Sequence, residues 1–486
     1  MAELSAQPAW AADEALLRQH AADAAYLWQV LEDSQASLLM TAAGIDDRHR
    51  RLQANLEGLM AAGQAGADAA LNALRRFGGA GEAFVAWQVV AGQPGQVMKD
   101  GWEKLRELSH WLTSDVPEQV MSDAQAAMAR GIADALASWP LARLNRWMGA
   151  SSDLGNPYVQ VTLLDALARR IRLRSEAPPA NLRDWIRDSS KHADGFVRAA
   201  AYVAIQASFH RRFEAPGLEG LGAELRTMIS QLGQQSPSPQ EPSEALCLAQ
   251  ARAIETRAWV PGPALSVALA LELGRLWVQT YRVSLGLRGR PLFNAQRALA
   301  DALRALASQW PGQGPDCEAA TRAFVNALAP GPGCRFVGFF GEPSLCALAL
   351  PVLDDVKFGA AAAWTLQSCC GLRVDAPPDP QQEASLAESA AKGPPGEAEW
   401  HALFLGLPAP DSAALRGLWQ QGTFKTWSGK QHWQGELVSD AQVQRILGAD
   451  ESAQAARWMA GRWLHQQGGG EPGFDTRHPR FGLVFS

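Results

Sequence analysis

The chain has few tyrosines, little charge and no long uninterrupted apolar stretch. Only 4 of its 486 residues are tyrosine, and Asp, Glu, Lys and Arg together make up 19%, below the roughly 25% of an ordinary domain. No window approaches the ~20 apolar residues that a helix needs to cross a bilayer. The most apolar run, Pro263 to Leu273, is short and carries Glu272. The opening, MAELSAQPAWAADEALLRQH, has no basic start followed by an apolar stretch, and Glu3, Asp13 and Glu14 interrupt it, so it does not read as a secretory signal. These absences predict a cytoplasmic protein with no membrane association.

The chemistry-bearing motifs are missing too. The six cysteines, Cys247, Cys317, Cys334, Cys346, Cys369 and Cys370, form no CxxC pair and no Cys/His set at zinc spacing. They are expected to be buried, reduced thiols. No two of the nine histidines stand three or four residues apart, so no helix offers a ready metal pair. GxSxG, HExxH, the P-loop and the EF-hand loop are absent, and no GxGxxG follows a strand. Cys369-Cys370 sits near the end of an apolar helix, where the negative end of the helix dipole disfavours a thiolate. Asp354-Asp355 reads as a helix cap rather than a catalytic pair of acids. The expectation is no enzyme, no catalytic residue, no metal and no cofactor.

What is present is helix-forming. Hydrophobic residues reach 47%, dominated by alanine and leucine, both good helix formers. Leu17, Ala21, Ala24, Trp28 and Leu31 step by three and four onto one face, as do Leu52, Leu56, Leu59 and Ala62. Asn156-Pro157 pairs a capping side chain with proline at the first helical position. It opens a helix whose apolar face runs Leu163, Leu164, Leu167, Ile171. A short helix with Leu182, Trp185 and Ile186 follows. Asp194 can then cap a helix over Phe196 to Phe209, with Val197, Ala200, Ala201, Ala204 and Ile205 facing inward.

That Ala-rich helix has an echo. Residues 196–204 (FVRAAAYVA) align without gaps on 358–366 (FGAAAAWTL), each just after an aspartate, and Ala453 to Leu464 is an approximate third copy. An Ala-rich second helix after an Asp-bearing turn resembles a HEAT-type repeat, at irregular period. The predicted fold class is therefore all-α, an irregular HEAT-like helical-repeat (α-solenoid) array with few or no strands. The only strand signals are the apolar run Arg335 to Phe340 and a loose alternation over Thr423 to Trp433 around Ser428-Gly429.

Two polar, Pro-rich segments divide the chain. Residues 233–243 (GQQSPSPQEPS) and 374–395 read as linkers. They separate an N-terminal helical array over 1–232, a middle helical segment with the HEAT-like repeat over 244–373, and a C-terminal helical segment over 396–486. Charge is uneven: residues 141–213 hold twelve Lys or Arg against six acids. This stretch suits either a solvated helix face or a wall for an acidic partner. The overall net charge of −6 argues against general nucleic-acid or membrane-surface binding.

A family resemblance adds context. His20-Ala21-Ala22-Asp23-Ala24-Ala25-Tyr26-Leu27-Trp28 is similar to the H-A-D-E-A-A-F-L-W opening of a bacterial family with HEAT-like repeats encoded beside type VI secretion clusters. The family's second helix resembles Ile45 to Gly63. Its G-x-P … L-x-D … A-G-E-A-F-x-x-I-T-G-x-x-L segment resembles Gly341-Glu342-Pro343 through Leu353-Asp354-Asp355 to Gly371-Leu372. Trp419, Phe424, Gly448, Gln454, Ala456 and Phe474-Asp475-Thr476-Arg477 match further on. The chain departs at Gly359-Ala360-Ala361-Ala362 and Ser368-Cys369-Cys370-Gly371. The resemblance implies a cytoplasmic accessory of a contractile secretion system and brings no catalytic residue with it.

The functional expectation is a protein-interaction scaffold or adaptor associated with a type VI secretion system, binding a protein partner through a helical-repeat surface. An effector-neutralising immunity protein, a nucleic-acid-binding repeat and an enzyme of unassigned reaction stay open as alternatives. The candidate contact residues are Arg183, Trp185 and Arg187 in the basic stretch and Trp427 and Trp433 further on, because Arg and Trp are enriched at binding hot spots. Trp185 also lies on an apolar stripe, which suits a core position.

Overall fold

A computed structural model describes residues 13–34, 39–93, 123–145, 156–174, 179–209, 243–259, 265–312, 315–376, 396–449 and 453–466, apart from isolated positions within them. The segments at 233–242 and 377–395, and the Phe474–Arg477 block, lie outside the described residues. The protein is all-α: among the described residues, one two-stranded hairpin is the only sheet. No described helix is long and apolar enough to cross a membrane. The chain divides into two compact units, and the division falls after Arg170.

The first unit is built from α1 (Glu14–Asp33), α2 (Ala42–Ala61), α3 (Gln64–Phe77), α4 (Ala80–Gly92), α5 (Asp123–Ala137) and the start of α6 (Pro157–Arg174). Asp13 starts α1 by accepting from the backbone N–H groups of Ala15 and Leu16, which satisfies two of the four orphan donors of a helix start. Leu17, Ala21, Ala24, Trp28 and Leu31 are all buried, as their spacing predicts. Asn156 accepts from the N–H of Tyr158 at the start of α6 (2.9 Å).

Helix α4 is mostly apolar, with Gln88 buried too, and packs against α1, α3 and α5. Burial against several neighbours is what stabilises such a helix. Close approach requires glycine here. A methyl group on Gly131 of α5 would lie 2.0 Å from the Ala80 carbonyl oxygen of α4. Trp28 stacks on Phe84 with ring centroids 5.5 Å apart.

The second unit contains α7 (Ala180–Ser189), α8 (Gly195–Phe209), α9 (Glu244–Trp259), α10 (Val267–Ser284), α11 (Gly289–Gln309), α12 (Pro315–Asn326), α13 (Pro330–Phe340) and α14 (Gly359–Cys370). It continues with α15 (Glu397–Ala402), α16 (Ser412–Gln421), β1 (His432–Trp433), β2 (Glu436–Leu437), α17 (Asp440–Gly448) and α18 (Gln454–Gln466). Helices pack in sequence: α7 on α8, α8 on α9, α9 on α10 and α11, α11 on α13, and α13 on α14. Asp194 caps α8 by accepting from the N–H groups of Phe196 and Val197. Val197, Ala200, Ala201, Ala204 and Ile205 are buried along it.

Three expectations need correction. Residues 244–373 and 396–466 do not make separate segments. One apolar core runs from Ala251 to Met459 and takes residues from both. Trp400 of α15 is 1% exposed and donates to Gln296 of α11 (2.5 Å). The start of the expected 374–395 linker also pairs back on the fold: Val374 O accepts from Asp411 N (2.9 Å), and Ala376 N donates to Ala409 O (2.7 Å). Arg335 to Phe340 is helical, the last turns of α13. The hairpin turns at Gln434-Gly435, with His432 opposite Leu437 and Trp433 opposite Glu436, rather than at Ser428-Gly429.

Candidate functional site

The candidate contact residues do not converge. On α7, Leu182 and Ile186 are buried, and Arg183, Trp185 and Arg187 are half-buried. At 100° per residue, Arg183 and Arg187 share one flank of the buried stripe and Trp185 lies on the other. Arg187 is further engaged by Asp184 (3.1 Å) and Asp188 (3.6 Å). Trp427 is half-buried, its ring 6.0 Å from that of Phe340. Trp433 is 5% exposed and belongs to the core. Its indole presents almost no area to a partner, so it is a packing residue and not a contact. Within the basic stretch, Arg143, Arg146, Arg211 and Arg212 lie outside the described residues.

Trp433 sits in a segment that finishes two helices. The C-terminal carbonyls of a helix have no partner within it. Gly341 ends α13 in the left-handed conformation (φ 78°), and its carbonyl accepts from His432 N (2.7 Å). At the end of α14, Ser368 O accepts from Gln434 N (2.6 Å) and Cys369 O from Gly435 N (3.2 Å). Gln434 holds a positive φ of 54°, a conformation that costs a non-glycine residue about 1–3 kcal/mol. The hydrogen bonds to α14 hold it there. Glu342 secures the same segment from below. It is buried and accepts from Ser344 N (3.3 Å), Ser428 N (3.2 Å), Ser428 Oγ (2.7 Å) and Gly429 N (3.0 Å). Asp355 accepts from the N–H groups of Lys357 and Phe358 and so closes the turn that leads into α14, whose cap residue Phe358 makes no side-chain cap of its own. Asp354 instead pairs with Arg416, so neither aspartate is the cap residue of α14, a correction to the expectation from sequence.

Sequence reasoning missed two buried charge clusters, one in each unit. In the first unit, Arg169 bonds Glu32 through Nη1 (2.9 Å) and Nη2 (3.1 Å), and Asp134 through Nη1 (2.8 Å). Trp28 Nε1 donates to the second Asp134 oxygen (2.6 Å). Burial works against the charge on Arg169, but Glu32 and Asp134 outweigh it and hold the guanidinium more firmly protonated than usual.

In the second unit, α11 contributes Arg297, Asp301 and Arg304, α9 contributes Arg252 and Glu255, and α13 contributes Arg335. Arg252 Nη1 bonds Glu255 (2.6 Å) and Asp301 (3.3 Å), and Arg304 Nη2 bonds Asp301 (3.2 Å). Burial raises the pKa of Asp301, yet Arg304 and Arg252 overcome it and bring the carboxyl below its usual range. Arg335 is 0% exposed, and its Nε donates to Ala300 O (3.1 Å). Its Nη1 and Nη2, and the Nε and Nη1 of Arg304, are buried with no hydrogen-bond acceptor. Leaving one buried donor unsatisfied costs about 1–3 kcal/mol, more when it is charged. Burial and the neighbouring Arg304 push the Arg335 pKa down to about 9, with Asp301 opposing. The only sequence signal for Arg335 was a cation inside an otherwise apolar run.

All six cysteines are buried and unbridged. Burial pushes Cys247 and Cys334 up to about 12. The Cys346 thiol is raised by its hydrogen bonds to Cys369 and Cys370 and then by burial. Such thiols are poor nucleophiles. Among the described residues, no group of His, Cys, Asp and Glu is arranged to hold a metal ion. The chain matches no family model, no curated protein and no solved structure.

Proposed function

We propose that this chain is a cytoplasmic interaction scaffold or adaptor that serves a type VI secretion system and binds a protein partner along a helical-repeat surface. The observation that carries this reading is the stacking in sequence of α7, α8, α9, α11, α13 and α14 within the second unit. Each helix hides its apolar stripe on a neighbour, as repeat arrays do, and such arrays work through the faces they leave outward. The resemblance of the 20–28 and 341–372 segments supplies the secretion context. On α7, the half-buried Arg183 and Trp185 are the side chains offered for contact, and Trp427 is a third on the capping segment.

Affinity purification of the full chain from a bacterium that carries the secretion cluster, read by mass spectrometry, tests this. The expected result is stoichiometric recovery of a secretion-system protein, reduced by the Arg183→Ala/Trp185→Ala double variant. Recovery of no secretion-system protein, or equal recovery with the double variant, would end the reading.

A further inference from the structure

We propose that the second unit holds one small oxyanion of the phosphate class between the guanidinium groups of Arg304 and Arg335, as an integral part of its core. Four nitrogens point to it: Arg304 Nε and Nη1 and Arg335 Nη1 and Nη2 are buried donors that no protein atom accepts from. They come from two helices, α11 and α13, that pack on one another. The two guanidinium carbons share one aromatic neighbour, lying 5.9 Å and 5.1 Å from the Phe339 ring centroid.

The protein's own acids are already engaged. Asp301 accepts from Arg252 and Arg304, and Glu255 accepts from Arg252 and from Gln206 (3.4 Å). Arg252, Arg304 and Arg335 are three cations that meet here, and Asp301 and Glu255 are the carboxylates that offset them most. The cluster therefore needs acceptor oxygens and negative charge together. Water supplies the first without the second. A tetrahedral oxyanion supplies both, and its edges match the forked N–H groups of a guanidinium.

The size of the ligand follows from burial. Arg335 has no exposed surface and Arg304 is 9% exposed, so a nucleotide, a phosphopeptide or an acidic protein segment does not reach these donors. The less buried end is marked by Trp458 of α18, half-buried, whose ring lies 4.3 Å from the Arg304 guanidinium.

The test uses the full chain purified in chloride buffer free of phosphate and sulfate. One sample is denatured and the released anions are measured by ion chromatography. Another is dialysed to equilibrium against inorganic phosphate or, in a separate arm, sodium sulfate. Thermal melts are run in each arm at constant ionic strength. The expected result is about one oxyanion per chain, retained or taken up, with a saturable rise in Tm. Uptake in the phosphate arm alone assigns phosphate, and uptake in both arms assigns tetrahedral oxyanions generally.

Arg335→Met abolishes retention, uptake and the Tm rise, whereas Arg183→Ala leaves all three intact. Should Arg335→Met fail to fold, Arg335→Lys serves in its place: it keeps a charge but loses the fork, and weakens uptake by about tenfold or more. No oxyanion released and no saturable uptake in either arm overturns the proposal. So does uptake that is equal in the Arg335 variant and the parent.

Discussion

Arg169 and Arg335 are both buried arginines in helical cores, and their surroundings are opposite. Around Arg169 the protein supplies two carboxylates, and Trp28 satisfies one of the remaining oxygens. Around Arg335 it supplies one backbone carbonyl, and the next charged neighbour is another arginine. A buried ion closed by its own partners is a finished structural element. A buried ion left with open donors depends on something that the polypeptide does not provide. The first kind is broken by removing a partner, and the second is relieved by removing the ion itself.

Substitutions test this contrast in descending order of effect. Arg169→Met leaves Glu32 and Asp134 buried and facing each other, and should lower unfolding free energy by about 3–5 kcal/mol in urea titrations. Trp28→Phe keeps the stack on Phe84 but removes the donor to Asp134, and should cost about 1.5–3 kcal/mol. Arg335→Met, measured in chloride alone, should show no loss and a gain of roughly 1 kcal/mol or more, because an unpaired buried charge is replaced by an apolar chain of similar length. A loss as large as that of Arg169→Met would erase the distinction between the two sites.

Acid titration separates the clusters further. The Asp301 carboxyl is held below its usual range. Its contribution is therefore present above the unfolded value of about 3.9 and is lost as pH falls through the lower folded value. Below about pH 4 the stability of Asp301→Asn should fall less steeply with pH than that of the parent, by up to about 1.4 kcal/mol per pH unit. Arg187→Ala on the surface of α7 breaks pairs to Asp184 and Asp188 that are more than a third exposed, and should change stability by no more than about 0.5 kcal/mol.

The helical stripes were legible from the sequence because their information is local. Leu17 to Leu31 and Val197 to Ile205 repeat at helical spacing and are buried accordingly, and Asp194 and Asn156 cap the helices that follow them. The hairpin was misplaced because its turn carries no Asn-Gly or Asp-Gly signal. Gln434 takes its left-handed conformation from hydrogen bonds to α14, some 65 residues earlier in the chain. Tryptophan suits an interface and a core equally, so the sequence does not separate the two at Trp433 and only packing decides. The two charge clusters were invisible because their members are scattered: Glu32, Asp134 and Arg169 stand more than a hundred residues apart at the extremes. An arginine in an apolar run does not reveal whether a carboxylate awaits it.

The finishing of α13 and α14 by the 428–435 segment bears on how the protein is made. The acceptors at Gly341, Ser368 and Cys369 go without these donors until residues up to Gly435 have been synthesised, and the same core also takes in Met459. A ribosome has therefore to extend the chain well past these helices before their ends can be sealed, and until then the nascent second unit shows apolar surface to whatever chaperone is near. Pausing or premature termination in that interval should be far more damaging than its share of the length suggests.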